Sequence, residues 1–180
     1  MSEDTSSIAG AIDYPIDLDA DAIERLLPHR GDIRFVRHVR VLTSNDFVGQ
    51  AVWPRQMQIL QGHFPGMPLV PGVFLVEAVA QVAGAGMLAG DPYARSMGSG
   101  HVGMLAGIRK CSFKRPVLPD EVVTIDVHSR QMSETAAALS ATLRVQGDEV
   151  ATIDILVANA PREQVQAHLE SLTSTGSSTS

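Results

Sequence analysis

Residues 61–84 read QGHFPGMPLVPGVFLVEAVAQVAG, a loop of prolines and glycines with one histidine, His63, that runs straight into an apolar segment. Residues 73–88 hold only two strongly polar side chains, Glu77 and Gln81. A segment apolar on all sides is what a helix enclosed by other elements presents, so the stretch predicts a buried central helix. Glu77 is its anomaly. Burying a carboxylate costs free energy unless it is paired or kept protonated by a raised pKa, and either state suits proton transfer. His63 is a second titratable group just upstream. Pro65, Pro68 and Pro71 fix three backbone angles between them, while Gly62, Gly66 and Gly72 permit tight turns and close approach to a ligand. Gly72 opens the helix, so its amide belongs to the unpaired first turn, where the helix dipole favours a developing negative charge. Gln81, one turn beyond Glu77, is placed to orient that carboxylate or, equally, to reach a neighbouring backbone group.

Outward from this stretch, Asp19 or Asp21 caps a short helix carrying Ile23, Leu26 and Leu27, which Pro28 ends. Segments 33–42 and 47–53 read as two strands joined by a turn at Ser44, Asn45 and Asp46. Segment 90–100, rich in glycine and small residues, reads as a loop, 102–113 as a strand, and 114–120, with two prolines, as a turn. The last third alternates: Val123, Ile125 and Val127, then Ala137, Leu139, Ala141 and Leu143, then Ala151, Ile153, Ile155 and Val157 each fall on one face. Gly147 and Asp148 mark a hairpin between the last two. Pattern alone gives two strands, a buried helix and about four strands, an α+β order. Residues 1–14 read as a flexible arm, 15–160 as the folded domain, and 161–180 as a short helix followed by a disordered Ser/Thr tail.

The 180-residue chain is 44% hydrophobic and carries a net charge of −6, enough for one core and unfavourable for general nucleic-acid binding. One cysteine, Cys111, excludes an intrachain disulfide, and no paired Cys/His spacing predicts a metal. Cys111 itself reads as a small buried strand residue in a reducing, cytoplasmic setting. The start, MSEDTSSIAG, has no export-signal pattern, and the apolar helix, interrupted by Glu77, reads as shorter than the ~20 residues of a membrane span.

The segment GHFPGMPLVPGVFLVEAVAQ closely resembles the active-site pattern GHFPGxPxxPGVLxxEAxAQ of the bacterial 3-hydroxyacyl-acyl-carrier-protein dehydratases of the FabZ type. The order and spacing of His63, Gly72, Glu77 and Gln81 fit, and Phe74 stands where the family usually has Leu. Leu27-Pro28-His29-Arg30 is similar to its early LPHR, and Phe113-Lys114-Arg115-Pro116-Val117 to its FKRPV, so the resemblance spans roughly residues 22–158. It implies a hotdog fold, a long central helix wrapped by an antiparallel sheet, in a homodimer or trimer of dimers. It also implies catalysis by His63 and Glu77 on a thioester carried by acyl-carrier protein, without metal or organic cofactor.

On that resemblance His63 is the base for the C2 proton, Glu77, protonated or holding a water, serves the departing C3 hydroxyl, and the Gly72 amide receives the thioester oxyanion. Arg109, Lys110, Lys114 and Arg115 form a basic cluster that reads either as a solvated face or as a landing patch for an acidic carrier protein. His29, His38, His101, His128 and His168 read as surface or packing residues. Gly31-Asp32-Ile33, Arg37-His38 and Pro119-Asp120-Glu121 depart from the family's usual residues, which leaves acyl length and pathway open between fatty-acid and polyketide-type biosynthesis. Val73 and Glu77 stand where the related dehydratase-isomerases carry Cys and Asp, which favours dehydration without isomerisation. A hotdog thioesterase and a non-catalytic hotdog subunit are the rival readings.

Overall fold

The structure, a computed structural model, describes residues 12–97 and 100–174. Of the arm expected over 1–14, residues 1–11 lie outside those described, as does the tail beyond 174, whereas Tyr14 is held by a hydrogen bond to Gly90. In chain order the elements are β1 (Ile16–Leu18), α1 (Ala20–Leu26), a 3-10 turn (Gly31–Ile33), β2 (Val36–Val41), β3 (Asp46–Ala51), α2 (Gln58–Gly62), α3 (Gly72–Gly90), α4 (Pro92–Met97), β4 (His101–Phe113), β5 (Val123–Gln131), β6 (Ala136–Val145), β7 (Asp148–Pro161) and α5 (Arg162–Ser174).

Asp19 caps α1, its Oδ1 accepting from Ala22 N at 2.8 Å, so of the two candidate caps this is the one used. The seven strands form one antiparallel sheet in the order β1-β2-β3-β5-β6-β7-β4. The alternating residues of the last three strands, with Val39, Val41 and Phe47, make its inner face and are buried, save Val157, which is half-buried. α3 lies against that face. Its Leu75, Val76, Val79, Val82 and Ala83 join the same core, so a helix with the length and composition of a membrane span is here the core helix. Two glycines set how closely helix and sheet approach: a Cβ on Gly49 of β3 would stand 2.2 Å from Val82 Cγ2, and one on Gly86 of α3 2.5 Å from the Phe47 ring. The Tyr14 hydroxyl donates to the carbonyl of Gly90 and ties the end of α3 to the incoming chain.

Several boundaries differ from the sequence expectation. α3 runs three residues beyond the 73–88 segment, starting at Gly72 and ending at Gly90. The expected loop 90–100 contains α4, whose first-turn amides Tyr93 N and Ala94 N are capped by Asp91 Oδ1. Ile33 closes a 3-10 turn rather than opening β2, and Trp53 lies past the end of β3 although fully buried. β1 and α2 were not legible, being three and five residues long. Cys111 is half-buried on the outermost strand rather than enclosed.

Candidate active site

The His63 loop is built by local hydrogen bonds. His63 follows α2, its N–H donating to Ile59 O at 3.2 Å, and the loop closes where Leu69 N donates to His63 O at 3.4 Å. Phe64 and Gly66 take positive φ, 62° and 81°, which turns the chain sharply enough for Met67 N to bond Phe64 O. Val70 N then donates to Val117 O at 2.9 Å, so the FKRPV segment holds the loop in place. His63 Nδ1 lies 3.0 Å from Leu69 O, a contact that requires the hydrogen on Nδ1 and leaves Nε2 with its lone pair. That is the form a base needs.

Glu77 occupies the second position of chemistry. Gln81, 1% exposed, accepts from Phe35 N (3.1 Å) and Val36 N (3.5 Å) through Oε1, so its amide nitrogen faces the other way. Nε2 donates to Ile33 O at 2.7 Å and to Glu77 Oε1 at 2.9 Å. Both sequence alternatives for Gln81 are therefore realised by one side chain, which joins α3 to the start of β2 and holds the carboxylate. A second donor is unexpected: His29 Nε2 stands 3.1 Å from the same Glu77 oxygen. His29, expected at the surface or in packing, is a residue of the site, brought there because the segment after α1 folds across α3. Arg30 fixes that segment through Leu27 O and His29 O, and Glu24 joins Arg30 to Arg34.

Burial pushes the Glu77 carboxyl up, but the hydrogen bonds from His29 and Gln81 and the nearby His29 charge together hold it below the usual carboxylate range. Of the two states expected of this carboxylate, paired or kept protonated by burial, the single chain shows the paired one. Glu77 and His29 line a cavity of about 570 Å³ that runs beside α3 past Ala80, Gly84, Met87 and Leu88. His63 and Gly72 are not on its wall. Gly72 opens α3 after Pro71, which supplies no side-chain cap, and the Phe113 ring leaves no room for a Cβ there, 2.9 Å away.

Of the basic cluster, Lys114 pairs with Glu149 at 2.6 Å and Arg115 makes two bonds to Glu121, at 3.1 and 3.3 Å. Arg109 and Lys110 are exposed on β4 and make no ion pair among the described residues. His38 and His128 pair with Asp17 and Asp46, away from the cavity, His168 lies on α5, and His101 lines the cavity with Nδ1 3.3 Å from Met97 O. No group of three or more metal-ligating side chains occurs among the described residues.

Residues 28–154 match the FabA-like domain. The chain belongs to the FabA-like family. Its relatives include the 3-hydroxyacyl-acyl-carrier-protein dehydratase FabZ of Oenococcus oeni, 31% identical over 77% of this chain and 97% of that one, and the FabZ of Desulforamulus reducens, 34% identical over 74% and 91%. Among solved structures, the dehydratase heterocomplex ApeI:P from Xenorhabdus doucetiae superposes with a TM-score of 0.67 at 18% identity, covering 82% of this chain and 96% of that one. A Thermus thermophilus thioesterase-superfamily protein gives 0.59 at 13% identity, covering 77% and 98%. The fold of this FabA-like chain is the hotdog fold, with α3 as the enclosed helix.

Proposed function

We propose that the chain dehydrates (3R)-3-hydroxyacyl thioesters on acyl-carrier protein to trans-2-enoyl thioesters, in fatty-acid or polyketide-type biosynthesis. The observation that carries this reading is Glu77, a carboxylate on an otherwise apolar helix, oriented by Gln81 at the wall of a cavity large enough for an acyl chain. Membership of the FabA-like family and the FabZ names of the relatives support the same reaction.

In the proposed reaction His63 Nε2 takes the C2 proton, and the Gly72 amide at the start of α3 receives the charge that builds on the thioester oxygen. Glu77 delivers a proton to the C3 hydroxyl, which leaves as water as the C2–C3 double bond forms. The imidazolium then returns the abstracted proton through solvent, and the carboxyl is recharged. No cofactor takes part.

The site is completed by a second copy of the chain. His63 and Gly72 are absent from the Glu77 cavity wall, which supports a site shared between two chains. β4 has a free edge and carries the exposed apolar side chains Met104, Leu105, Ile108 and Phe113, a surface that two-fold pairing would cover. Such a partner also removes the remaining 30% exposure of the Glu77 side chain, and burial favours its protonated form. An acidic carrier protein docks at the basic cluster, where Arg109 and Lys110 make no ion pair among the described residues while Lys114 and Arg115 are partly neutralised. The enzyme unit spans residues 15–160 and works in the cytoplasm.

Incubation of the protein with a 3-hydroxyacyl carrier-protein thioester tests this. Loss of one water by mass, with enoyl absorbance and no free thiol, is the expected result. Release of free thiol would make the protein a thioesterase.

A further inference from the structure

We propose that His29 is a positioning residue for Glu77, fixing which carboxyl oxygen carries the proton. The inference rests on Glu77 being the proton donor of the reaction above. Its basis is the pattern of bonds on one carboxyl group.

Gln81 Nε2 and His29 Nε2 both approach Glu77 Oε1, at 2.9 and 3.1 Å. The Gln81 amide cannot be turned to offer its oxygen instead, because Phe35 N and Val36 N already claim it. The ring of His29 is equally constrained. Its Nδ1 is buried with no hydrogen-bond partner among the described residues, and a buried donor left unpaired is costly, so in the neutral ring the hydrogen belongs on Nε2, facing the carboxyl, and a protonated ring offers the same Nε2 donor. Two donors on Oε1 leave that oxygen no room for a proton. Any proton on Glu77 therefore resides on Oε2, which makes no hydrogen bond to the described residues and belongs to the group lining the cavity. A general acid is useful only when its proton faces the leaving group, and His29 enforces that orientation from an element outside α3.

The same contact sets the acidity. Arg25, Arg30, Asp91, Tyr93, Arg95, His101, Glu134 and Arg162 also line the cavity, while burial and the bonds from His29 and Gln81 act on the Glu77 carboxyl directly. Removing the His29 donor leaves burial opposed only by Gln81, so the carboxyl must titrate at higher pH.

The test uses His29→Ala and His29→Gln in the full chain, the second keeping a side-chain N–H donor without the ring. Carbon-13 titration of the Glu77 carboxyl, assigned by its disappearance in Glu77→Gln, should move to higher pH in His29→Ala and much less in His29→Gln. This readout needs no turnover, so it stands whether or not the proposed reaction does. For dehydration, His29→Ala should lower kcat about 10- to 100-fold with little change in KM, as a misdirected catalytic group does. It should also shift upward in pH the limb of the kcat/KM profile that Glu77 governs. His29→Gln should recover most of kcat. A Glu77 titration unmoved in a folded His29→Ala, or wild-type turnover and limb position in that variant, would overturn the inference. A wild-type protein that dehydrates no 3-hydroxyacyl thioester would instead remove the proposed function.

Discussion

At the scale of single residues the proposed chemistry depends on two side chains held by opposite means. His63 is placed by its own loop, through bonds to Ile59 O and Leu69 O, and supports no core. His63→Ala is therefore expected to lower turnover by at least about 100-fold while the melting temperature stays close to wild type; turnover assay and calorimetry on the same preparation check both halves. Glu77→Gln should be nearly as damaging, because an amide of the same volume has no acidic proton to give. Gln81→Ala differs from both, since it also strips partners from Phe35 N and Ile33 O and should destabilise by about 1–3 kcal/mol in denaturant unfolding. His63, Glu77, Gly72 and Gln81 stood out in the sequence because each breaks a local pattern, an imidazole in a proline loop or a polar group on an apolar helix. His29 did not. Its contact with Glu77 joins residues 48 positions apart, and only the packing of the segment after α1 on α3 creates it. The one available signal was that LPHR, like the central motif, lay within the resemblance.

At the scale of elements, α3 and the long strands were legible because each repeats its pattern over many residues, and the alternating faces of the last three strands are buried except at Val157, which is half-buried. α2, α4 and β1, at five, six and three residues, are shorter than any periodicity can register. The contact between α3 and the sheet was equally hidden, because a glycine's role depends on what faces it. Gly49→Ala puts a methyl into Val82 and should cost about 1–3 kcal/mol as overpacking, measured as a lower denaturant midpoint with unchanged slope. Acid sensitivity is set at the β2–β3 turn as well. Asp46, bonded by His128 at 2.8 Å and by Thr43 at 2.7 Å, is held below the usual carboxylate range, first by His128 and then by Thr43. Glu121, where bonds from Arg115 and Leu118 N outweigh burial, is lowered too. The folded chain binds these protons more weakly than the unfolded chain. Their contribution is full above the ordinary carboxyl pKa of about 4 and is lost as pH falls through the lowered values. Melting temperature should therefore hold from neutral pH to about 5 and fall below about 4, and Asp46→Asn should make that fall shallower.

At the scale of the whole molecule, the sheet ends on β4, whose free edge and exposed apolar side chains adjoin the exposed Arg109 and Lys110. Reversing charge at Arg109 and Lys110 should raise KM for carrier-protein substrates several-fold, and less at high salt, while leaving short thioester analogues unaffected. Equal effects on both substrates would make the cluster a solvated face. His63 is absent from the Glu77 cavity wall, as expected of a loop whose direction Pro65, Pro68 and Pro71 set, and in the proposed site a second chain brings the two residues together. The most direct test of a shared site is co-expression of a His63→Ala chain with a Glu77→Gln chain. Each hybrid dimer then has one site with both native residues and one with neither, and random mixing makes half the dimers hybrids. Dehydration should recover to roughly a quarter of wild type, although each parent alone is inactive. A mixture as inactive as its parents, in dimers shown by mass to be hybrid, would contradict the account.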